Sequence, residues 1–221
     1  MRQWIFIAFA VMFSGISTAY ASAAGTVFPS SKGSTWHYRY STGGSYSVTI
    51  VSSTPTGFTE NQHGRVHAKM RFKKTSAGWV SGDVGHSNKF QMQGRKITVT
   101  IVHTSGVVVP KTSLWKPGYK WSFSSTDLSR VAMHQVVILA RTRVASASKI
   151  TGVRKIKVPA GKFTCYRVRT IEHIRTSVKV GKASRVQHAK IKIIDYYAKG
   201  VGLVERKAYH TTTELTHYHI Q

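Results

Sequence analysis

The chain has 221 residues, with 33 Lys and Arg against 7 Asp and Glu, a formal net charge of +26 at pH 7 and one cysteine. So few carboxylates leave little material for general acid–base catalysis or for binding hard metal ions, so we expect a protein that is not an enzyme and holds no cofactor and no metal. A single cysteine excludes an intramolecular disulfide, so the fold must be stabilised by a hydrophobic core.

The N-terminus has the pattern of a secretory signal peptide. Arg2 precedes an apolar run over 4–13, which is shorter than a membrane span, and small residues follow it. Two Ala-x-Ala sites predict cleavage after Ala21 or Ala23. We therefore expect a signal peptide over 1–23 and a single β domain over 24–221, secreted to the cell envelope or the extracellular space, with no transmembrane segment after cleavage.

The remainder reads in chain order as strands rich in Val, Ile, Thr and aromatic residues, separated by Gly, Ser, Pro and Asn. The predicted strands are 36–40, 46–51, 66–72, 79–80, 90–92, 97–102, 121–123, 135–144, 163–174, 186–197, 201–209 and 211–219. The best helical pattern, over 124–140, changes into a strand pattern, and 107–118 is the expected boundary between two halves of one sheet. The sequence predicts an all-β fold: a single antiparallel half-open barrel or a strongly curved sheet.

Two short motifs are expected to shape the backbone and not to bind a ligand. Pro159, Ala160 and Gly161 predict a tight turn, because Pro fixes φ and Gly tolerates positive φ. Gly200 and Gly202 flank the point where one long strand gives way to the next, so a bulge or a close backbone approach is expected there.

Three segments carry a family resemblance: 28–38 (FPSSKGSTWHY), 152–165 (GVRKIKVPAGKFTC) and 196–204 (YYAKGVGLV). In order and spacing the chain resembles the TapB-like bacterial envelope proteins and related secreted β-barrel-like families of unknown function. The resemblance implies a lipoprotein-carrier-like half-open barrel and implies no established activity. The chain departs from these families in its large basic excess and in lacking a lipobox cysteine.

Basic residues alternate with apolar residues along several predicted strands, which gives each strand one apolar face and one cationic face. The candidate polyanion-binding residues are Arg65, Lys69, Arg71, Arg167, Arg169, Arg175, Lys190 and Lys192. Three interpretations are open: a solvated surface, a face that binds an anionic polymer (wall polymer, acidic glycan or extracellular nucleic acid), or adaptation of the whole surface to an acidic medium. Counterion release would make polymer binding strongly dependent on salt.

Aromatic residues cluster in the first half, near predicted turns. The candidate ligand-mouth residues are Trp36, Tyr38, Trp79, Trp115 and Trp121. They either fill the barrel and its rim or line an opening for an apolar or lipid-like ligand, which would make the protein a carrier.

Other chemistry is weakly indicated. His63 and His67, and likewise His217 and His219, are spaced to share a surface, but two histidines fall short of the four ligands of a structural zinc site. We expect Cys165 to be a small buried hydrophobic residue and not a reactive thiol. No catalytic motif is present. Glu172 and His173 could meet Asp195 across adjacent strands, and a structural ion pair with a nearby Arg is the expected use of these carboxylates. The sequence predicts a secreted, non-enzymatic, envelope-associated binding protein.

Overall fold

The computed structural model describes residues 27, 29–64, 67–92, 95–133, 136–181 and 183–221. The predicted signal peptide and Arg65 lie outside these residues. Among them, no helix is long and apolar enough to cross a membrane.

All the strands belong to one antiparallel sheet, and a single short 3-10 turn at Thr112–Leu114 is the one helical element that the structure describes. The strands are β1 Thr35–Tyr40, β2 Ser45–Thr54, β3 Gly57–His63, β4 Ala68–Thr75, β5 Gly78–Ser81, β6 Ser87–Met92, β7 Arg95–Gly106, β8 Val109–Pro110, β9 Lys120–Met133, β10 Val136–Val158, β11 Gly161–Val180, β12 Ala183–Ala198, β13 Gly202–Ala208 and β14 Thr211–His219. Their order in the sheet is β6-β7-β9-β10-β11-β12-β13-β14-β1-β2-β3-β4-β5-β8. The all-β antiparallel prediction is confirmed.

The sheet curls so that β4 lies beside β6 and the loop that precedes it, and side chains hold this seam in place of strand pairing. The first half of β4 extends beyond its partner β5. There the amide of Lys69 donates to Asn88 Oδ1 (3.1 Å) and the amide of Arg71 donates to Asp83 Oδ2 (3.0 Å). Arg71 also pairs with Asp83 through its guanidinium (3.1 Å). The sheet is therefore a half-open barrel, as the sequence predicts.

The segment 107–118 lies at this seam. It leaves β7, forms β8 against β5, and returns to the sheet at β9, so it links the two ends of the sheet. The interpretation of 107–118 as a boundary within one sheet is consistent with this path.

The four strands β9 to β12 are longer than the sequence segments that predict them. β10 has 23 residues and β11 has 20, and they form one hairpin. Val158 pairs with Gly161 across Pro159 and Ala160, which confirms the predicted tight turn. Gly161 adopts a φ of +134°, in the region that favours glycine.

The main core fills the barrel at the end formed by β1, β2, β13 and β14. Trp36, Tyr38 and Leu203 are fully buried there. The indole N–H of Trp36 donates to the carbonyl of Val201 (2.8 Å), and the Tyr38 hydroxyl donates to the carbonyl of Leu203 (3.0 Å). Buried aromatic residues need such partners for their polar atoms, and here the bonds join the first strands to the last.

Candidate anion-binding face and interior cavity

The outer face of β10, β11 and β12 carries basic side chains in adjacent positions. Arg143 lies opposite Arg175, which lies opposite His188 on the next strand. One step along, His173 lies opposite Lys190. Directly opposed residues have Cβ atoms about 4.5–5.5 Å apart, and two like charges at this separation, as at Arg143 and Arg175, destabilise the pair. The face therefore holds concentrated positive charge that an anion would neutralise.

These side chains border a shallow groove of about 610 Å³. Serine, threonine and aliphatic residues complete its walls, and no Asp or Glu is among them. The residues bordering the groove are Ser124, Ser125, Thr126, Arg143, Val144, Ala145, His173, Ile174, Arg175, His188, Ala189 and Lys190. Hydroxyl donors beside cations suit an anion with several oxygen atoms.

The structure brings part of the predicted polyanion set together. Arg169, Arg175, Lys190 and Lys192 are exposed on the outer face of β11 and β12. Arg169 lies opposite Lys149, which extends the basic face along β10.

The other described residues of the predicted polyanion-binding set lie on a different part of the sheet or have guanidinium groups that are bonded within the protein. Lys69 is exposed but lies on β4, far from β11 in the sheet order. Arg71 is held by Asp83 at the seam, and Arg167 is half-buried, with its guanidinium donating to Thr151 Oγ1 (2.8 Å). Arg65 lies outside the described residues.

Sequence reasoning did not select Arg143, His173 or His188 as site residues. Arg143 shows the same alternation as Arg167 and Arg169, so the signal that marks it is present in the sequence. Only the register between β10, β11 and β12 shows that these side chains belong to one row.

The seven carboxylates, in contrast to the basic residues, lie away from the exposed surface. All lie within the described residues and none is exposed. Glu60, Asp83, Asp195 and Glu205 are buried, while Asp127, Glu172 and Glu214 are half-buried. The sheet therefore separates charge, with unpaired cations on its outer face and carboxyl groups directed largely to the interior.

An interior cavity of about 210 Å³ lies on the inner face of the same long strands. Its polar groups include Asp127, Glu172, Asp195 and Arg206, and its apolar walls include the aromatic rings of Phe72, Trp121, Phe123 and Tyr197. Arg206 donates two hydrogen bonds to Asp195, from Nε (2.6 Å) and Nη2 (2.7 Å). This pair confirms the expected ion pair for Asp195, whereas Glu172 forms no ion pair with a described residue.

Several polar atoms at the cavity have no hydrogen-bond partner among the described residues. They are Asp127 Oδ1, Glu172 Oε2 and Arg206 Nη1. Burial raises the pKa of Asp127 to about 6, partly offset by a hydrogen bond from Ser125. Burial also raises the pKa of Glu172, against the attraction of Arg206.

Glu60 is a third interior carboxyl with oxygen atoms that have no hydrogen-bond partner among the described residues. It lies on β3 between Ile50 and Met70, is fully buried, and has no described hydrogen-bond partner for either oxygen. Burial raises its pKa well above the ordinary value, with a further contribution from Asp83. Such a carboxyl is held neutral over a wider pH range than an exposed one.

The five predicted mouth residues do not form one opening. Trp36, Tyr38 and Trp115 are buried in the main core, so these three side chains stabilise the barrel end. Trp79 and Phe58 pack in a T-shaped arrangement, with ring centroids 4.9 Å apart. Of the five, Trp121 lines the interior cavity.

The histidine pairs form local contacts. His63 Nδ1 lies 3.2 Å from His67 Nδ1, and the rings of His37 and His217 stack with centroids 3.8 Å apart. Partial burial, and then the neighbouring His217, lower the pKa of His37. Over the described part of the chain, no group of three or more His, Cys, Asp or Glu is placed to hold a metal ion.

Fold and site together define an all-β protein built from one curled antiparallel sheet, with a basic outer face and an acidic cavity. A family described as DUF3108-like matches residues 124–220. That stretch contains two of the motif segments, 152–165 and 196–204, while 28–38 lies before it. The chain is thus similar to the DUF3108-like family over its C-terminal half, and the finer resemblance to TapB-like proteins stays a prediction.

Two solved structures are similar over most of the chain. One is a Bacteroides fragilis protein named as a candidate exported protein with a YmcC-like fold, with 12% identity and a TM-score of 0.47, covering 91% of this chain and 100% of that one. The other is a Parabacteroides distasonis protein named as a candidate lipoprotein, with 12% identity and a TM-score of 0.41, covering 89% and 99%. No curated protein matches the chain.

Proposed function

We propose that this protein is a secreted, non-enzymatic, envelope-associated binding protein that contacts anionic polymers through the outer face of β10 to β12. The observation that carries the proposal is the row Arg143, Arg175 and His188 across three adjacent strands, in a groove bordered by no carboxylate. Polymers with repeated phosphate, sulfate or carboxylate groups match a row of cations better than a single small anion does. Secretion is supported by the signal-peptide pattern of residues 1–23.

Carboxylates are absent from this face, as they are from every exposed position that the structure describes, and this absence is compatible with a polyanion-binding face. A solvated basic surface is compatible with acidic residues among the cations, where they form weak surface pairs. Here Arg143, Arg175 and Lys190 have no such neighbour in the groove. Keeping acidic residues off this face preserves its attraction for a polyanion, which also speeds encounter at low salt.

Dextran sulfate, with uncharged dextran as the matched polymer, tests the proposal. About five cations engaged on the polymer predict a loss of roughly 10²–10³-fold in affinity between about 50 mM and about 200 mM salt. Uncharged dextran should not bind at either salt concentration. Equal affinity for both polymers, or affinity that does not change with salt, would overturn the proposal.

A second function, carriage of a small ligand inside the half-barrel, is favoured by the cavity of about 210 Å³. The cavity is lined by carboxyl groups as well as apolar side chains, so it does not suit a wholly apolar lipid. The carboxyl groups and apolar side chains that line the cavity restrict the class of ligand that it can bind.

A further inference from the structure

We infer that the interior cavity is a binding site for a small organic ammonium ion that also carries an oxygen acceptor, such as an amino alcohol. This site is distinct from the outer basic face, and the inference does not depend on polymer binding. It rests on a charge imbalance, on unpartnered polar atoms and on the aromatic wall of the cavity.

The cavity has more carboxyl groups than cations. Asp195 is neutralised by Arg206 within the cavity, and Asp83 is paired with Arg71 at the seam. Asp127 and Glu172 have no cationic partner among the described residues, although the chain carries 33 Lys and Arg. A buried carboxylate requires a compensating charge or loses its own, and a bound ammonium would supply that charge.

The unpartnered atoms define what the ligand must offer. Asp127 Oδ1 and Glu172 Oε2 require donors, which an ammonium group provides. Arg206 Nη1 requires an acceptor, and its side chain is nine-tenths buried, so bulk water does not satisfy it freely. A hydroxyl or carbonyl oxygen on the same ligand would accept that hydrogen bond.

Aromatic rings complete the site. Trp121, Phe123 and Tyr197 line the cavity together with aliphatic residues including Val168 and Ile193. The faces of aromatic rings attract ammonium ions, and the attraction is greatest where water is excluded. An anionic or fully apolar ligand would leave the carboxyl groups without partners and would lack the cation–π attraction of the ring faces.

Three probes of equal chain length separate the possibilities: 6-amino-1-hexanol, 1,6-hexanediol and 6-hydroxyhexanoate. They differ in one terminal group, which is cationic, neutral or anionic. Calorimetric titration at pH 8 should give the tightest binding for the amino alcohol, by roughly tenfold or more over the diol, since a charge-assisted hydrogen bond is gained. Hexylammonium, which lacks the hydroxyl, should bind more weakly than the amino alcohol.

Two variants locate the site. Glu172→Gln and Asp127→Asn keep the size of each side chain and should each weaken amino-alcohol binding by roughly tenfold while leaving the diol unchanged. Lys69→Gln changes an exposed side chain that does not line the cavity, so it should have no effect on either probe. Circular dichroism establishes that each variant is folded.

The inference fails if the hydroxyhexanoate binds as tightly as the amino alcohol, or if no probe binds. It also fails if Glu172→Gln and Asp127→Asn leave the affinity of the amino alcohol unchanged. Because a polymer is too large to enter a cavity of about 210 Å³, loss of dextran sulfate binding would not count against the cavity site, and loss of amino-alcohol binding would not count against the outer face.

Discussion

Asp195 on β12 accepts two hydrogen bonds from Arg206 on β13, at 2.6 and 2.7 Å, on the inner side of strands whose outer side carries basic residues such as Arg175 and Lys190. Both side chains are largely excluded from solvent: 6% of Asp195 and 10% of Arg206 is exposed. Two strands are thereby fixed in register at the cavity.

Removing one partner of this pair should be strongly destabilising. Asp195→Asn leaves the Arg206 guanidinium buried without its counter-charge, which should lower the free energy of unfolding by about 3–5 kcal/mol. Urea denaturation measures the change. Glu214→Gln breaks the exposed pair with Arg39 and serves as the control, with an expected loss of about 0–1 kcal/mol. A loss for Asp195→Asn as small as that of the control would contradict the assigned role.

The pH dependence of stability should carry the signature of Asp127. Its pKa in the folded chain is about 6, against an ordinary value of 3.8, so the folded chain binds this proton more tightly than the unfolded chain does. The resulting stabilisation is complete below pH 3.8 and is lost as pH rises through about 6. Asp127→Asn removes this dependence, because an amide does not ionise.

Urea denaturation of wild type and Asp127→Asn as a function of pH checks this prediction. The variant should gain on the order of 2 kcal/mol relative to wild type between pH 3.8 and pH 7, after allowance for partial exposure of the carboxyl. Parallel stability curves would show that Asp127 titrates normally.

The interior carboxyls also bear on the acidic-medium interpretation of the charge. Glu60, Asp127 and Glu172 all have raised pKa values, so each favours the folded state as pH falls toward its ordinary value. His37 acts in the opposite direction, because its lowered pKa means that stability is lost as pH falls below the ordinary histidine range. If the carboxyls dominate, the protein keeps its structure below about pH 5. A sharp unfolding transition there would count against the interpretation.

Cys165 should be unreactive while the chain is folded. It is fully buried, and burial, with a contribution from Glu205, raises the pKa of its thiol to about 12. Only the thiolate reacts with iodoacetamide at an appreciable rate. Alkylation followed by mass spectrometry should therefore show no label in buffer and complete label in denaturant. Rapid labelling of the folded protein would place Cys165 near the surface.

Much of the fold follows from local patterns. Alternation along Arg167 to Arg175 predicts both the strand and its cationic face, and Pro159 to Gly161 predicts the hairpin turn. The hydrophobic pattern of the sequence does not predict β3. Its sequence, GFTENQH, places Glu60 and Gln62 on the inner face, so the hydrophobic alternation expected of a strand is absent. The interior position of polar residues is decided by the barrel and cannot be read from a strand alone.

The site was less predictable because it depends on pairing between strands far apart in sequence. The seam formed by Asp83 and Asn88 joins β4 to a loop and to β6, which no local pattern indicates. Likewise, only the pairing register of β10 with β11 places Arg143 beside Arg175 on the basic face. Trp36 and Tyr38 are candidate ligand-mouth residues in the sequence because aromatic side chains suit such an opening, but the structure buries both in the main core.

Polymer binding by two charge-matched triple variants tests the central proposal most directly. One variant carries Arg143→Gln, Arg175→Gln and Lys190→Gln in the groove. The other carries Lys69→Gln, Lys73→Gln and Lys74→Gln on β4, and so loses the same net charge. The groove variant should lose at least roughly tenfold in affinity for dextran sulfate, with a salt slope reduced by about two to three, while the β4 variant should stay close to wild type. Equal losses in both variants would show that net charge alone, and not this face, binds the polymer.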